Sequence, residues 1–210
     1  MSRITAGAKC RLCRTEGQKL YLKGIRCDGA KCPIEKKGAI KPGMHGGKRG
    51  SKPTEFGIQL RAKQKAKRLY GVAETQFKNY YIKAKTLKGL VGDNLQILLE
   101  RRLDNVLYKS GLALSRSQAK QFISHKHVLV NGKKLNINSY SVKIGDDVAL
   151  DKIVAQKFDE LLPINNKDFK SLRWFESDKK KYLVKISSLP TKEDINTGVD
   201  INLIIEYYSR

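Results

Sequence analysis

The chain has 210 residues, and its 43 Lys and Arg residues outnumber 20 Asp and Glu residues, which gives a formal net charge of +23. Because a charge this far from zero repels itself, we expect an anionic partner, and nucleic acid fits better than an anionic membrane surface. The sequence has neither an apolar stretch long enough to cross a membrane nor an apolar signal-peptide core, so a membrane or secreted protein is not expected.

The four cysteines lie in two pairs near the start of the chain, Cys10 with Cys13 and Cys27 with Cys32. Two close pairs separated by a short loop can offer four thiolates to one tetrahedral Zn²⁺ ion. The intervening loop is too short and too charged to have its own core, so bound metal would supply most of the folding free energy of residues 1–40. Two disulfides, free thiols and an iron–sulfur cluster are the alternatives, and the absence of a secretory signal disfavours the disulfides.

Residues 41–53 are rich in glycine and in basic residues, which predicts an irregular cationic loop. Such a loop suits contact with a phosphodiester backbone. The glycines are not followed by the Lys-Ser/Thr pair of a nucleotide-phosphate loop, so that function is not expected. A plain flexible linker is the alternative.

Two helices with cationic faces are predicted after this loop. The first runs from Thr54 to Tyr70 and ends at Gly71, and the second covers residues 73–88. On each helix an apolar stripe faces away from lysines and arginines. In a chain of this charge we expect those cationic faces to contact RNA phosphate, although solvated faces are the ordinary alternative. The candidate RNA-binding residues here are Arg61, Lys65, Arg68, Lys78 and Lys85.

Residues 94–150 are predicted to form a compact unit of two helices followed by a small antiparallel sheet. Asp93 is a candidate N-cap for a long first helix, and Ser115 begins a shorter second helix with the spacing of a capping box. Asn131-Gly132 between two strand-like runs predicts a hairpin. For the two histidines of this unit, packing at the helix end is the alternative to contact with RNA. The candidate RNA-binding residues of the second helix and hairpin are Arg116, Lys120, His125, Lys126, His127, Lys133 and Lys134.

The C-terminal segment, residues 151–210, contains strand-like runs at 181–186 and 203–208. We predict that this segment folds back onto the helices of residues 54–110. The expected fold class is therefore α+β. It comprises the zinc module of residues 1–40, a mostly helical domain that includes residues 41–93, and the compact unit of residues 94–150 with its two helices and small antiparallel sheet.

Short strings occur in order along nearly the whole chain: Cys-Arg-Leu-Cys at 10–13, Pro-Gly-Met-His-Gly at 42–46, Arg-Leu-Asp-Asn-Val at 102–106, Ser-Arg-x-Gln-Ala at 115–119, Val-Asn-Gly at 130–132 and Glu-Tyr-Tyr-Ser-Arg at 206–210. With these strings the chain resembles the S-four family of bacterial small-subunit ribosomal proteins. The four cysteines match the zinc-bearing branch of that family.

The resemblance implies that residues 94–150 are an inserted small RNA-binding domain. It also implies a structural component of the small ribosomal subunit in the bacterial cytoplasm. It implies that the chain binds the 5′ domain of 16S-type rRNA early in subunit assembly, and that it touches ribosomal protein five at an interface connected with translational accuracy. It also implies that the basic loop lies near the mRNA entry channel, where Lys48, Arg49 and Lys52 would contact message. A homo-oligomer is not expected.

Two other classes of protein were considered. An enzyme with the same RNA-binding domain, such as a pseudouridine synthase or a tyrosyl-tRNA synthetase, would need a catalytic domain for which the chain has no large enough segment. A zinc-dependent DNA regulator would need a recognition helix, and the cysteine segment has none that is recognisable. We therefore expect a non-catalytic protein that gains affinity from phosphate neutralisation and specificity from RNA shape.

Overall fold

The computed structural model describes residues 8–48, 52–165, 172–178, 180–195 and 197–210. The chain divides into two compact units, the first comprising Met1–Gly92 with Thr197–Arg210 and the second comprising Asp93–Asn196. Across these described ranges, none of the helices has the length and apolar character that a bilayer-spanning helix needs.

The helices, in chain order, are α1 (Lys9–Glu16), α2 (Ile25–Asp28), α3 (Pro33–Lys37), α4 (Glu55–Tyr70), α5 (Glu74–Thr86), α6 (Val91–Glu100), α7 (Leu103–Lys109), α8 (Arg116–Ser124), α9 (Lys152–Phe158) and α10 (Ile201–Ser209). The strands are β1 (Val128–Val130), β2 (Lys133–Lys134), β3 (Asp147–Leu150), β4 (Phe175–Asp178) and β5 (Leu183–Ile186).

Helix α4 begins and ends where local sequence signals place it. The Thr54 hydroxyl accepts a hydrogen bond from the Gly57 N–H at 3.2 Å, which satisfies one of the unpaired donors of the first turn. At the other end Gly71 adopts φ +61°, and its N–H donates to the carbonyls of Arg68 and Lys67. Both predicted ends are confirmed, and α5 stops at Thr86, two residues before the predicted end.

The predicted strand at 203–208 is wrong, because these residues belong to α10. The Asp200 carboxylate caps this helix by accepting from the Asn202 N–H at 3.0 Å. Helix α10 packs along α4. Its aromatic rings make the contact, with Tyr207 at 5.7 Å from Phe56 between ring centroids. The run of β-branched and aromatic residues therefore serves a helical packing face that local composition does not reveal.

The predicted long helix after Asp93 is wrong, because the chain breaks it into α6 and α7. Asp93 lies inside the first turn of α6 and not at its N-cap. Backbone pairing with a distant segment causes the break. The Val142 N–H donates to the Arg101 carbonyl at 2.9 Å, and the Leu103 N–H donates to the Tyr140 carbonyl at 2.9 Å.

The second unit contains one antiparallel sheet with strand order β2-β1-β3-β5-β4. Asn131 and Gly132 have φ values of +50° and +77°, as a two-residue type I′ hairpin turn requires, so the predicted hairpin is confirmed. Val148 of β3 pairs with Val130 of β1 on one side and with Val184 of β5 on the other. Residues 183–186 thus extend the sheet of the small domain.

The prediction that residues 151–210 fold back onto the helices of residues 54–110 is therefore wrong for α4 and α5 over most of this segment. It holds for α7, whose Leu103 and Leu107 share a core with Trp174. The described residues up to 195 belong to the second unit, and only Thr197–Arg210 joins the first. One apolar core holds the second unit together, and helix and sheet both contribute to it. Its largest fully buried members are Leu103, Leu107, Leu112, Ile123, Leu150, Leu162, Trp174 and Phe175.

Candidate thiol cluster and nucleic-acid interface

The four cysteines, all free thiols, line one cavity of about 10 Å³. Cys10 and Cys13 lie on successive turns of one face of α1, Cys27 lies in α2, and Cys32 is the N-cap of α3. Three short helices with little apolar surface thus bring their thiols to the lining of one cavity. Such a small core needs another source of stability, which is the usual situation of a structural metal module.

The surroundings of Cys13 and Cys27 oppose negative charge on these two thiols. Burial raises the pKa of the Cys13 thiol, and the three other cysteines raise it further. Burial also raises the pKa of Cys27, although its sulfur accepts a hydrogen bond from the Lys23 N–H at 3.3 Å. Four sulfur donors around one small cavity fit the ligand set of Zn²⁺. Within the described ranges, however, no group of three or more His, Cys, Asp or Glu side chains forms a metal site as arranged.

The cations predicted on α4 contact other parts of the first unit. Arg68 forms an ion pair with Glu16 of α1, and the Arg61 guanidinium lies 3.6 Å from the same carboxylate. The Lys65 ammonium donates to the Gly198 carbonyl. These three side chains therefore connect α4 to the thiol module and to the segment before α10. On α5, by contrast, Lys78 and Lys85 are exposed.

Two of the cations predicted on α8 belong to a buried polar network. Arg116 is only 7 % exposed, and its Nε donates to Asn105 Oδ1 at 2.8 Å. The Lys120 ammonium lies 3.4 Å from Asp104 Oδ2. Burial lowers the pKa of Lys120, while the neighbouring Asp104 carboxylate opposes this change. The geometry gives both side chains a structural role, and their contact with RNA stays a prediction.

Sequence reasoning missed the acidic half of this network. Glu100 accepts from the Asn105 amide at 2.7 Å and from the Lys109 ammonium at 2.9 Å, and its side chain is fully buried. Asp104 is equally enclosed and binds Arg102 through both carboxylate oxygens. The sequence did offer a signal for this network: Glu100 and Asp104 lie between apolar residues in the run 98–107. A carboxylate in such a run is expected to be buried, and a buried carboxylate needs polar partners.

The remaining predicted cations of the second unit lie at the end of α8 and in the β1–β2 hairpin. His127 is half-buried, Lys134 lies 3.6 Å from the Asp151 carboxylate, and Lys126 adopts φ +60° in the turn between α8 and β1. The exposed members of this group are His125, Lys126, Lys133 and Lys134. The three lysines of this group form a basic surface that is open to a phosphate backbone.

The predicted message-contacting loop is described in part. Lys48 and Lys52 are exposed, and the Lys48 N–H donates to the His45 carbonyl at 3.1 Å. Arg49 lies outside the described residues. The structure therefore shows two accessible cations on this loop, and their role stays a prediction.

Comparison with known proteins gives matches along almost the entire chain. Residues 5–100 match the family described as Ribosomal protein S4/S9 N-terminal domain, and residues 101–148 match the S4 domain. The relative from Halothermothrix orenii, named Small ribosomal subunit protein uS4, is 48 % identical over 97 % of this chain and 98 % of its own length. Relatives of the same name from Desulfitobacterium hafniense and Dictyoglomus thermophilum are 47 % and 46 % identical, each over the full length of both chains. The chain belongs to the uS4 family.

Membership in the uS4 family confirms the predicted family resemblance and the prediction of a non-catalytic protein. The S4-domain match covers α7, α8, β1 and β2 and ends inside β3. In this uS4 chain, β4 and β5 lie beyond that match but continue the same sheet. The exposed basic residues around the hairpin thus belong to the part that matches the S4 domain, whereas Lys78 and Lys85 belong to the N-terminal match.

Proposed function

We propose that this chain is a structural component of the small ribosomal subunit and binds small-subunit rRNA. The full-length similarity to relatives named Small ribosomal subunit protein uS4 carries this conclusion. The net charge of +23 and the exposed basic residues of α5 and of the hairpin support binding by phosphate neutralisation. Folded RNA offers the shape that would add specificity.

The finer assignment concerns where on the subunit the chain acts. We propose that it binds the 5′ domain of 16S-type rRNA, nucleates assembly there, and contacts ribosomal protein five in a way that affects accuracy. The family resemblance supports these points. The exposed Lys48 and Lys52, with Arg49 between them in sequence, would present positive charge to incoming message. A photo-cross-linker placed at Lys48 in message-bearing subunits tests this placement. Cross-links to message would support it, and cross-links to rRNA alone would refute it.

Competition binding tests the rRNA assignment. The full chain is titrated at near-physiological salt with a 5′-domain fragment of small-subunit rRNA and with a size-matched folded RNA. We expect a preference of about a hundredfold or more for the 5′-domain fragment, because contacts specific to its shape add to the phosphate contacts that both RNAs offer. Equal affinity for the two RNAs would mean that charge alone drives binding, and it would refute a specific primary binder.

We also propose that Cys10, Cys13, Cys27 and Cys32 hold one structural Zn²⁺ ion. Four free thiols around a single cavity, in a segment with few buried apolar residues, support this proposal. The ion would connect α1 to α2 and α3 and supply folding free energy to them. Glu16, the last residue of the helix that carries two of these cysteines, binds Arg68, so the module would fix the end of α1 against α4.

A further inference from the structure

A surface cleft of about 410 Å³ opens in the second unit between α8, the start of β1 and α9. Its floor is aromatic. Phe122 is 5 % exposed and belongs to the core, and Phe158 packs beside it with ring centroids 5.6 Å apart and planes at 53°. Ile153, another lining residue, is 66 % exposed. An exposed apolar side chain thus lines the cleft beside a floor that belongs to the core.

Backbone hydrogen bonds fix one wall of the cleft. The His127 N–H donates to the Phe122 carbonyl at 2.9 Å, and the Asp151 N–H donates to the His127 carbonyl at 2.8 Å. The positive φ of Lys126 makes the sharp turn that carries both histidines. The imidazole rings of His125 and His127 lie 6.1 Å apart with planes at 30°. The wall is therefore an ordered pair of aromatic heterocycles.

Polar groups of several kinds complete the lining. The Gln118 side-chain oxygen accepts from the Leu114 N–H at 2.7 Å, which holds this amide in place, while Gln121 is exposed. Side-chain amides carry donors and acceptors together, as do the edges of nucleobases. Asp151 also lines the cleft, but its carboxylate already accepts from the Ile153 N–H and lies 3.6 Å from Lys134.

We propose that this cleft binds one unstacked nucleobase of an RNA strand, with the base on the aromatic floor and the histidines and glutamine amides at its edges. The inference deepens the proposed rRNA binding and rests on it. A volume of about 410 Å³ is suited to a small planar ligand, since such sites range over about 300–1,000 Å³. Exposed Lys157 in the lining, with Lys126 on the turn, suits the phosphates on either side of the base better than an uncharged protein segment.

The test separates recognition of the base from recognition of the backbone. The full chain is titrated with oligoadenylate RNA and with an abasic ribose-phosphate oligomer of the same length and charge. We expect wild-type protein to prefer the base-containing strand by about tenfold, as one stacked base provides. The double variant Gln121→Ala/His125→Ala should lose this preference and keep the affinity for the abasic strand. Gln156→Ala, an exposed change on α9 outside the cleft, is the matched control.

Three results would overturn the proposal: equal affinity of wild-type protein for both strands, a preference that survives in the double variant, or a preference lost equally in the control. Binding of the 5′-domain rRNA fragment is measured on the same samples. If this binding is specific while the base preference is absent, only the cleft assignment fails. If the rRNA fragment itself shows no preference over the size-matched RNA, the proposed function fails independently of the cleft.

Discussion

Asp104 is a buried carboxylate that pairs with two cations of the second unit, Arg102 and Lys120. Its two oxygens accept from Arg102 Nε at 3.0 Å and from Arg102 Nη2 at 2.6 Å, and Lys120 Nζ lies 3.4 Å away. A bidentate guanidinium–carboxylate pair is among the stronger polar contacts in proteins, and here it offsets the cost of burying charge. Asp104 lies on α7 and Lys120 lies on α8, so the carboxylate also joins these helices.

Removing this carboxylate should destabilise the second unit strongly. We expect Asp104→Asn to lower its free energy of unfolding by about 3–5 kcal/mol, because two buried cations lose their counter-charge. Urea unfolding followed by fluorescence measures this directly, since Trp174 is the single tryptophan and is buried in the same unit. Lys192→Ala, which breaks the exposed pair with Asp93, should cost less than about 1 kcal/mol. An equally small loss for Asp104→Asn would show that the network contributes little.

Substitution of one of the four cysteines tests the zinc proposal. We expect Cys10→Ser to abolish stoichiometric zinc binding and to unfold residues 10–40, because three remaining ligands leave the ion weakly held and the segment has little other core. Native mass spectrometry measures the zinc, and amide NMR spectra report the unfolding. Lys36→Ala, an exposed change on α3, is the control and should keep both properties. Full zinc content with an unchanged amide spectrum in Cys10→Ser would refute the four-cysteine site.

At the scale of elements, Glu74 connects three helices of the first unit. Its carboxylate accepts from Lys63 at 2.7 Å and Lys67 at 3.0 Å on α4, and from the Tyr208 hydroxyl at 3.1 Å on α10. Lys63 also lies 4.2 Å from the centroid of the Tyr207 ring, a cation–π contact. Tyr208 stacks on Tyr81 of α5 at 4.7 Å. The C-terminal helix is thus held by one carboxylate and by aromatic rings.

This contact predicts an acid-sensitive helix junction. Burial opposes ionisation of Glu74, but the hydrogen bonds from Lys63 and Lys67 outweigh it and hold its pKa below the ordinary value of 4.5. A lowered folded-state pKa gives stability that is present above pH 4.5 and is lost as the pH falls through the folded value. We expect Tm to fall more steeply below pH 4.5 in wild type than in Glu74→Gln. Exposed Glu55→Gln is the control, and parallel curves for wild type and Glu74→Gln would contradict the prediction.

Local signals in the sequence predicted those elements whose ends are set by neighbouring residues. Thr54 with Gly71, Ser115, and Asn131-Gly132 each make their contacts within a few residues, so spacing alone located them. The break at residues 101–102 and the addition of β5 to the sheet depend on pairing with distant backbone. Composition cannot encode such pairing. The same distinction holds for the candidate functional residues. The spacing of the cysteines indicated that they lie together, because they are close in sequence. No local pattern showed that Arg116 is buried, because its partner Asn105 lies on another helix.

At the scale of the whole molecule, a net charge of +23 does not mean that every cation is available to RNA. Arg68 and Lys120 form ion pairs inside their own units. Exposed lysines such as Lys78 and Lys85 can instead release counterions when they meet phosphate. The salt dependence of binding should therefore follow the position of charge and not the total alone.

Two double variants that remove the same formal charge test this distinction. We expect Lys78→Ala/Lys85→Ala to weaken binding of the 5′-domain rRNA fragment and to reduce the slope of log K against log salt by about one unit per lost phosphate contact. Lys181→Ala/Lys192→Ala removes two exposed lysines that lie 4.0 and 3.9 Å from Asp178 and Asp93, and it should leave the slope nearly unchanged. Titrations over a series of salt concentrations measure both slopes. Equal reductions in the two variants would mean that net charge governs binding, and α5 would then not be a local part of the RNA interface.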